Sequence, residues 1–148
     1  MATVFDVAQY ILERKGRLDT IKLQKLVYYA QAWHLVWEDY PLFDSRIEAW
    51  GIGPVCPDLY AKYEGKDYLD PSVGIGNSAN LQKYERRAIE DILETYGDDW
   101  AEYLVYYTQS EDPWINARER AGALPGRRCN EEITLADMAE YYSGIMDG

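Results

Sequence analysis

TIKLQKLVYYAQAWHLVWE, residues 20–38, carries the longest and most aromatic helical pattern in the chain. Leu23, Leu26, Val27, Ala30, Trp33 and Trp37 recur at the spacing that makes one side of a helix apolar. Asp19 or Thr20 supplies the N-cap, and the helix is predicted to end near Glu38, before Pro41. Upstream, Val4, Val7, Ala8, Ile11 and Leu12 form a second stripe over residues 3–15, stopped by Gly16. A link this short predicts that the two helices pack as an antiparallel or steeply angled hairpin.

Downstream the pattern breaks at EAWGIGPVCPDLY, residues 48–60. RIEAW, residues 46–50, alternates as a short strand does, and Gly51, Gly53, Pro54 and Pro57 then exclude regular helix. Pro57 suits the first turn of a third helix running through Leu59, Tyr60 and Tyr63 to Gly65. Residues 67–80 are polar and glycine-containing, which predicts a surface loop with a short extended piece at Tyr68 or Val73.

Helical spacing returns at Leu81, Tyr84, Ala88, Ile89, Ile92, Leu93 and Tyr96, closed by Gly97. Asp98 or Asp99 then caps a helix expected to turn Trp100, Tyr103, Leu104 and Tyr107 inward. Asp112-Pro113 reads as a cap followed by a first-turn proline, opening a helix that ends near Gly122. After the turn-rich segment GALPGRRCN, residues 122–130, Thr134 caps a last helix with Leu135, Met138, Ala139 and Tyr142 on one side. The reading is a mainly α chain: one compact domain over residues 1–148, about six to seven helices, and at most a small β element near residues 46–52.

The net charge of −11 disfavours nonspecific attraction to nucleic acid or anionic membrane over the whole surface. Arg86-Arg87 and Arg127-Arg128 are the only basic pairs after residue 25. So acidic a surface suits a basic partner, or imitation of DNA. Cys56 and Cys129 stand far apart, no signal peptide pattern precedes them, and no apolar run is long enough to span a membrane. A reduced, cytoplasmic protein is expected.

No catalytic constellation emerges. The sole histidine, His34, lacks a nucleophile or orienting partner in the sequence and reads as a partly buried residue with a satisfied hydrogen bond. One histidine and two distant cysteines do not make a zinc site, so no metal is expected. Asp98-Asp99, Glu111-Asp112 and Glu131-Glu132 fall where helices begin, which suits capping. Gly51-Ile52-Gly53 and Gly74-Ile75-Gly76 lack the third glycine or the Gly-Lys-Ser/Thr of a phosphate loop, so no cofactor is expected. The unusual feature is aromatic: 14 Tyr and 5 Trp offer contact area with a polar handle and suit protein interfaces. Tyr28, Tyr29, Tyr40, Tyr106 and Tyr141 fall beside the apolar stripes and are expected at the surface.

These segments together are similar, in order and spacing, to the Panacea domain family of bacterial and phage proteins, which includes SocA-like antitoxins and phage-associated GepA proteins. The resemblance covers essentially the whole chain. Its most specific elements are Lys22-Leu23-Gln24-Lys25-Leu26 with Tyr28-Tyr29-Ala30-Gln31, and Glu48-Ala49-Trp50 with Gly53-Pro54-Val55 and Pro57; SEDPW, residues 110–114, extends it. Gln109 stands where the resemblance leads one to expect histidine. The resemblance implies a non-catalytic antitoxin that neutralises a cognate protein toxin encoded by an adjacent gene. It also implies the alternative of an adaptor delivering the toxin to the ClpXP protease; an acidic, DNA-mimicking or phage-encoded inhibitor is the other alternative. The candidate partner-binding residues are Tyr28, Tyr29, Tyr40, Glu48, Trp50, Gly53, Pro54 and Tyr106.

Overall fold

The computed structural model describes residues 1–147. Helix α1 (Val4–Lys15) opens with a capping box, Thr3 Oγ1 accepting from the Asp6 N–H and the Asp6 carboxylate accepting from the Thr3 N–H, and closes at Gly16. After β1 (Leu18–Asp19), helix α2 (Thr20–Glu38) starts from Asp19, whose carboxylate takes the Ile21 and Lys22 N–H groups. The cap is therefore Asp19.

Every residue from Leu23 to Ala32 is buried. Helices α1, α4 (Lys83–Tyr96), α5 (Ala101–Gln109) and α7 (Leu135–Asp147) and strand β3 (Gly53–Val55) pack against α2. A helix buried on all sides has no stripe to stand beside. Tyr28 and Tyr29, expected at the surface, are 1% and 0% exposed, which corrects that reading. Beyond Ala32 the packing thins, leaving Trp33 half-buried and Trp37 exposed.

Strand β2 (Ile47–Trp50) forms the expected extended segment and continues into a hairpin with β3, pairing Glu48 with Val55 and Trp50 with Gly53. Strand β5 (Glu132–Ile133) adds to the other side of β2, giving the order β3-β2-β5. Helix α3 (Pro57–Tyr63) follows with its first-turn proline as expected. Strand β4 (Tyr68–Leu69) pairs with β1. Two-residue strands such as β1 and β5 have too little alternation to show in sequence.

The segment after β4 lies along α1. Gln9 donates to the Pro71 carbonyl and accepts from the Ile75 N–H, and Asp6 accepts from the Asn77 N–H. Gly76 sits against the Phe5 carbonyl, where a Cβ would overlap backbone. Gly76→Ala is expected to lift the segment off α1 and cost about 1–3 kcal/mol. An unchanged midpoint in urea denaturation would contradict that packing.

Helix α5 begins one or two residues later than predicted, with Trp100 at the N-cap and no side-chain cap. Leu104 and Thr108 form its buried line, so Trp100 and Tyr103 stand exposed instead of turning inward. Helix α6 (Asp112–Ala121) instead begins one residue earlier than predicted, with Glu111, not Asp112, as its cap residue. Thr134 accepts from the Asp137 N–H at the start of α7, as expected of its cap. Both cysteines are buried and free. Among the described residues no helix is long and apolar enough to cross a membrane.

Candidate functional site

The β2–β3 corner is held from behind by side chains of three helices. From α2, Gln24 closes two hydrogen bonds on Cys56, accepting from its N–H at 2.9 Å and donating to its carbonyl at 3.1 Å. Lys25 Nζ donates to the Pro54 carbonyl at 3.1 Å. From α5, Gln109 Nε2 donates to the Gly51 carbonyl at 2.9 Å. From α6, Trp114 Nε1 donates to the Trp50 carbonyl at 2.8 Å, and Arg118 to the Ala49 carbonyl at 3.0 Å. Gln31 repeats the Gln24 device further along α2, accepting from the Leu42 N–H and donating to the Phe43 carbonyl. The motif KLQKL…YYAQ is thus a set of inward ties. Gln24→Leu is expected to orphan the Cys56 N–H, while the Cys56 carbonyl keeps the Tyr60 N–H, and to cost about 2 kcal/mol, read as a fall in Tm.

Gly53 is needed where it stands. Its φ is +108°, and a Cβ would lie 2.8 Å from Lys25 Cε and 3.0 Å from Thr108 Oγ1. Lys25 itself is fully buried, with the Pro54 carbonyl as its hydrogen-bond acceptor, and burial pulls its pKa down to about 7.

On the outer side of the corner, Glu48 takes the Trp50 indole N–H at 2.9 Å and pairs with Arg46 at 3.0 Å. Trp50 packs edge-on against Tyr60. Glu48, Trp50 and Ile52 face Arg127, Arg128 and Asn130 across a cavity of about 560 Å³. Glu48, Trp50, Gly53 and Pro54 are therefore brought together, the first two on the cavity rim and the last two buried beneath it. Tyr40 belongs elsewhere: its carbonyl accepts from His34 Nδ1 at 3.0 Å, and its hydroxyl pairs with that of Tyr84. Tyr106 is exposed on α5, its ring against Tyr107.

His34 is buried, and burial lowers its pKa. Since a carbonyl only accepts, Nδ1 carries the proton and Nε2 is left as an acceptor without a partner among the described residues.

A second polar centre lies at the start of α6, where sequence reasoning saw only a cap. Glu111 Oε1 accepts from Tyr29 Oη at 2.9 Å and Tyr142 Oη at 2.7 Å, and Tyr142 Oη meets Tyr28 Oη at 3.0 Å. Burial outweighs these hydrogen bonds and raises the Glu111 pKa. Burial, together with the Glu111 charge, raises those of Tyr29 and Tyr142. The signal in sequence was the acidic pair Glu111-Asp112; the one-residue shift of the cap turns its first member inward.

Among the described residues, no group of three or more His, Cys, Asp and Glu is placed to hold a metal ion. The inward ties, the corner and the helical shell make up a small helical scaffold, and the chain belongs to the family described as "Antitoxin SocA-like, Panacea domain", whose model matches residues 23–115. It is similar to the Antitoxin SocA of Caulobacter vibrioides (strain NA1000 / CB15N), 31% identical over 125 residues, which cover 73% of this chain and 66% of that protein. The chain thus spans just under two thirds of that relative's length. No solved structure matches the chain.

Proposed function

We propose that this protein is a non-catalytic antitoxin that binds and neutralises a protein toxin encoded by an adjacent gene. The observation that carries the reading is membership of the SocA-like antitoxin family across most of the chain. The local chemistry agrees with it. The polar residues of the shared motif, Gln24, Lys25 and Gln31, are buried and spent on backbone groups, so they build a scaffold and leave the outer surface to a partner. The one histidine is buried, burial lowers its pKa, and its Nδ1 is spent on the Tyr40 carbonyl.

Co-expression tests this directly. The product of the neighbouring open reading frame is expected to arrest growth alone and to be harmless with this protein present. A product harmless in both conditions refutes the reading for that pair. Pulse-chase in the same cells separates the two modes: an unchanged toxin half-life marks neutralisation by binding, and a half-life shortened only when ClpXP is intact marks proteolytic delivery.

A further inference from the structure

Glu111 has no cationic partner among the described residues. Oε1 is saturated by two tyrosine hydroxyls, while Oε2 has no hydrogen bond among the described residues and is not sealed from solvent. No lysine or arginine stands near enough to influence its titration. None occurs from Ala88 to Ala117, from Leu26 to Ser45, or from Leu135 to the end, the segments that build its surroundings. A half-buried carboxylate held without a counter-charge costs stability, so its environment is built for something other than the free fold.

The rest of that environment is aromatic. Tyr29 and Tyr142, which hold Oε1, are fully buried behind it, their rings 6.2 Å apart and edge-on. Tyr96 stacks on Tyr29 at 4.1 Å with the planes 4° apart. Trp33 lies 5.2 Å from Tyr142, and Tyr141 lies 5.0 Å from it at right angles. Trp33, Tyr96 and Tyr141 are each partly exposed and form the rim. The pKa values of Tyr96 and Tyr141 are raised by burial and then by the Glu111 charge, which places both rings in its field. Aromatic faces around a carboxylate are the surroundings in which a cation gains most: attraction to the ring quadrupoles adds to the ionic bond in a partly desolvated site.

We propose that this cup takes the guanidinium of an arginine on the surface of the partner protein, with Glu111 Oε2 as its acceptor and Trp33, Tyr96 and Tyr141 stacked around it. Arginine suits the cup better than lysine, because a planar, weakly hydrated guanidinium stacks on rings and desolvates more readily than an ammonium. The proposal deepens the antitoxin reading and rests on it for the partner's identity; the cup's preference for a guanidinium stands on the geometry alone.

Two arms test it. In the first, capped arginine (Nα-acetyl-arginine methylamide) is titrated into the whole protein and followed by NMR of the aromatic side chains. Saturable shifts are expected at Trp33, Tyr96 and Tyr141, absent with capped citrulline, which has the same shape without the charge, and abolished by Glu111→Gln. Shifts spread over the acidic surface, or persisting in Glu111→Gln, overturn the cup. Glutamine keeps an oxygen acceptor for Tyr29 and Tyr142; if that variant fails to fold, Tyr141→Leu at the rim serves in its place. In the second, the affinity of the toxin confirmed by co-expression is expected to fall at least tenfold in Glu111→Gln, and an unchanged affinity overturns the cup's role in docking. If the wild-type chain protects against no neighbouring product, the antitoxin reading fails, while the first arm still decides whether the cup holds a guanidinium.

Discussion

Replacing Arg118 with alanine is expected to cost roughly 3–5 kcal/mol, a large share of the stability of a domain of this size. The guanidinium is 4% exposed and has no carboxylate partner among the described residues. It is satisfied by three carbonyls, Ala49 at 3.0 Å and Leu124 and Arg127 at 2.8 Å each, and lies 5.0 Å from the Trp114 ring centre. One side chain thus joins β2 to the segment that follows α6. Alanine would take this donor from the Ala49 and Arg127 carbonyls, the Leu124 carbonyl keeping the Arg127 N–H, and would leave a void behind the corner. Lysine would keep the charge but cannot span all three acceptors, so Arg118→Lys should recover only part of the loss. Thermal melts of the three proteins measure this; an Arg118→Ala Tm within a few degrees of wild type would show that the carbonyls find other partners.

Lys25→Met is expected to change how stability depends on pH. The folded pKa of Lys25, about 7, lies below the ordinary lysine value of 10.5, and burial is the cause. Between those values the unfolded chain holds the extra proton, so stability rises with pH. The penalty is fully present at and below pH 7 and vanishes as pH climbs through 10.5. Integrated over that range it is on the order of 5 kcal/mol. Methionine has no such proton, so its advantage over wild type should be greatest at neutral pH and shrink by that amount toward pH 10.5. The lost bond to the Pro54 carbonyl subtracts about 1 kcal/mol at every pH. Many tyrosines also titrate at the alkaline end, but both proteins share them, so the difference between the two urea-denaturation curves isolates Lys25. A pH-independent difference would mean that the buried ammonium is solvated in a way its single contact does not reveal.

Much of the architecture was legible because most helices announce both ends. Asp19, one of the two caps read for α2, and Thr134 begin helices and Gly16 closes one, and the structure agrees at each, while the Thr3 cap of α1 went unread. The central helix was found but misread in one respect. Amphipathic reasoning assigns an outside to every helix, and α2 has none from Leu23 to Ala32, which is why Tyr28 and Tyr29 were placed at the surface. Trp100 and Tyr103 failed in the opposite sense, because the phase of α5 is set by its late start. The corner was identified as a turn into a helix, yet its supports come from α2, α5 and α6. Ties between residues so distant in the chain leave no periodic trace. Glu111 was hidden for a related reason: an acid beside Asp-Pro reads as a cap until the tyrosines of α2 and α7 are folded over it.

The paired glutamines of α2 have a consequence for what this chain can become. Gln24 and Gln31 are two helical turns apart, about 10.5 Å along one rigid axis, and each grips main chain as a neighbouring strand would, at Cys56 and at Leu42–Phe43. α2 acts as a ruler with two clips. The hairpin between the clips is pinned at both ends, and Trp50, Gly51 and Gly53 are fixed besides by α6, α5 and Lys25. Ile52, exposed at the tip, is the position on this fixed mount where side-chain chemistry can change without resetting the scaffold.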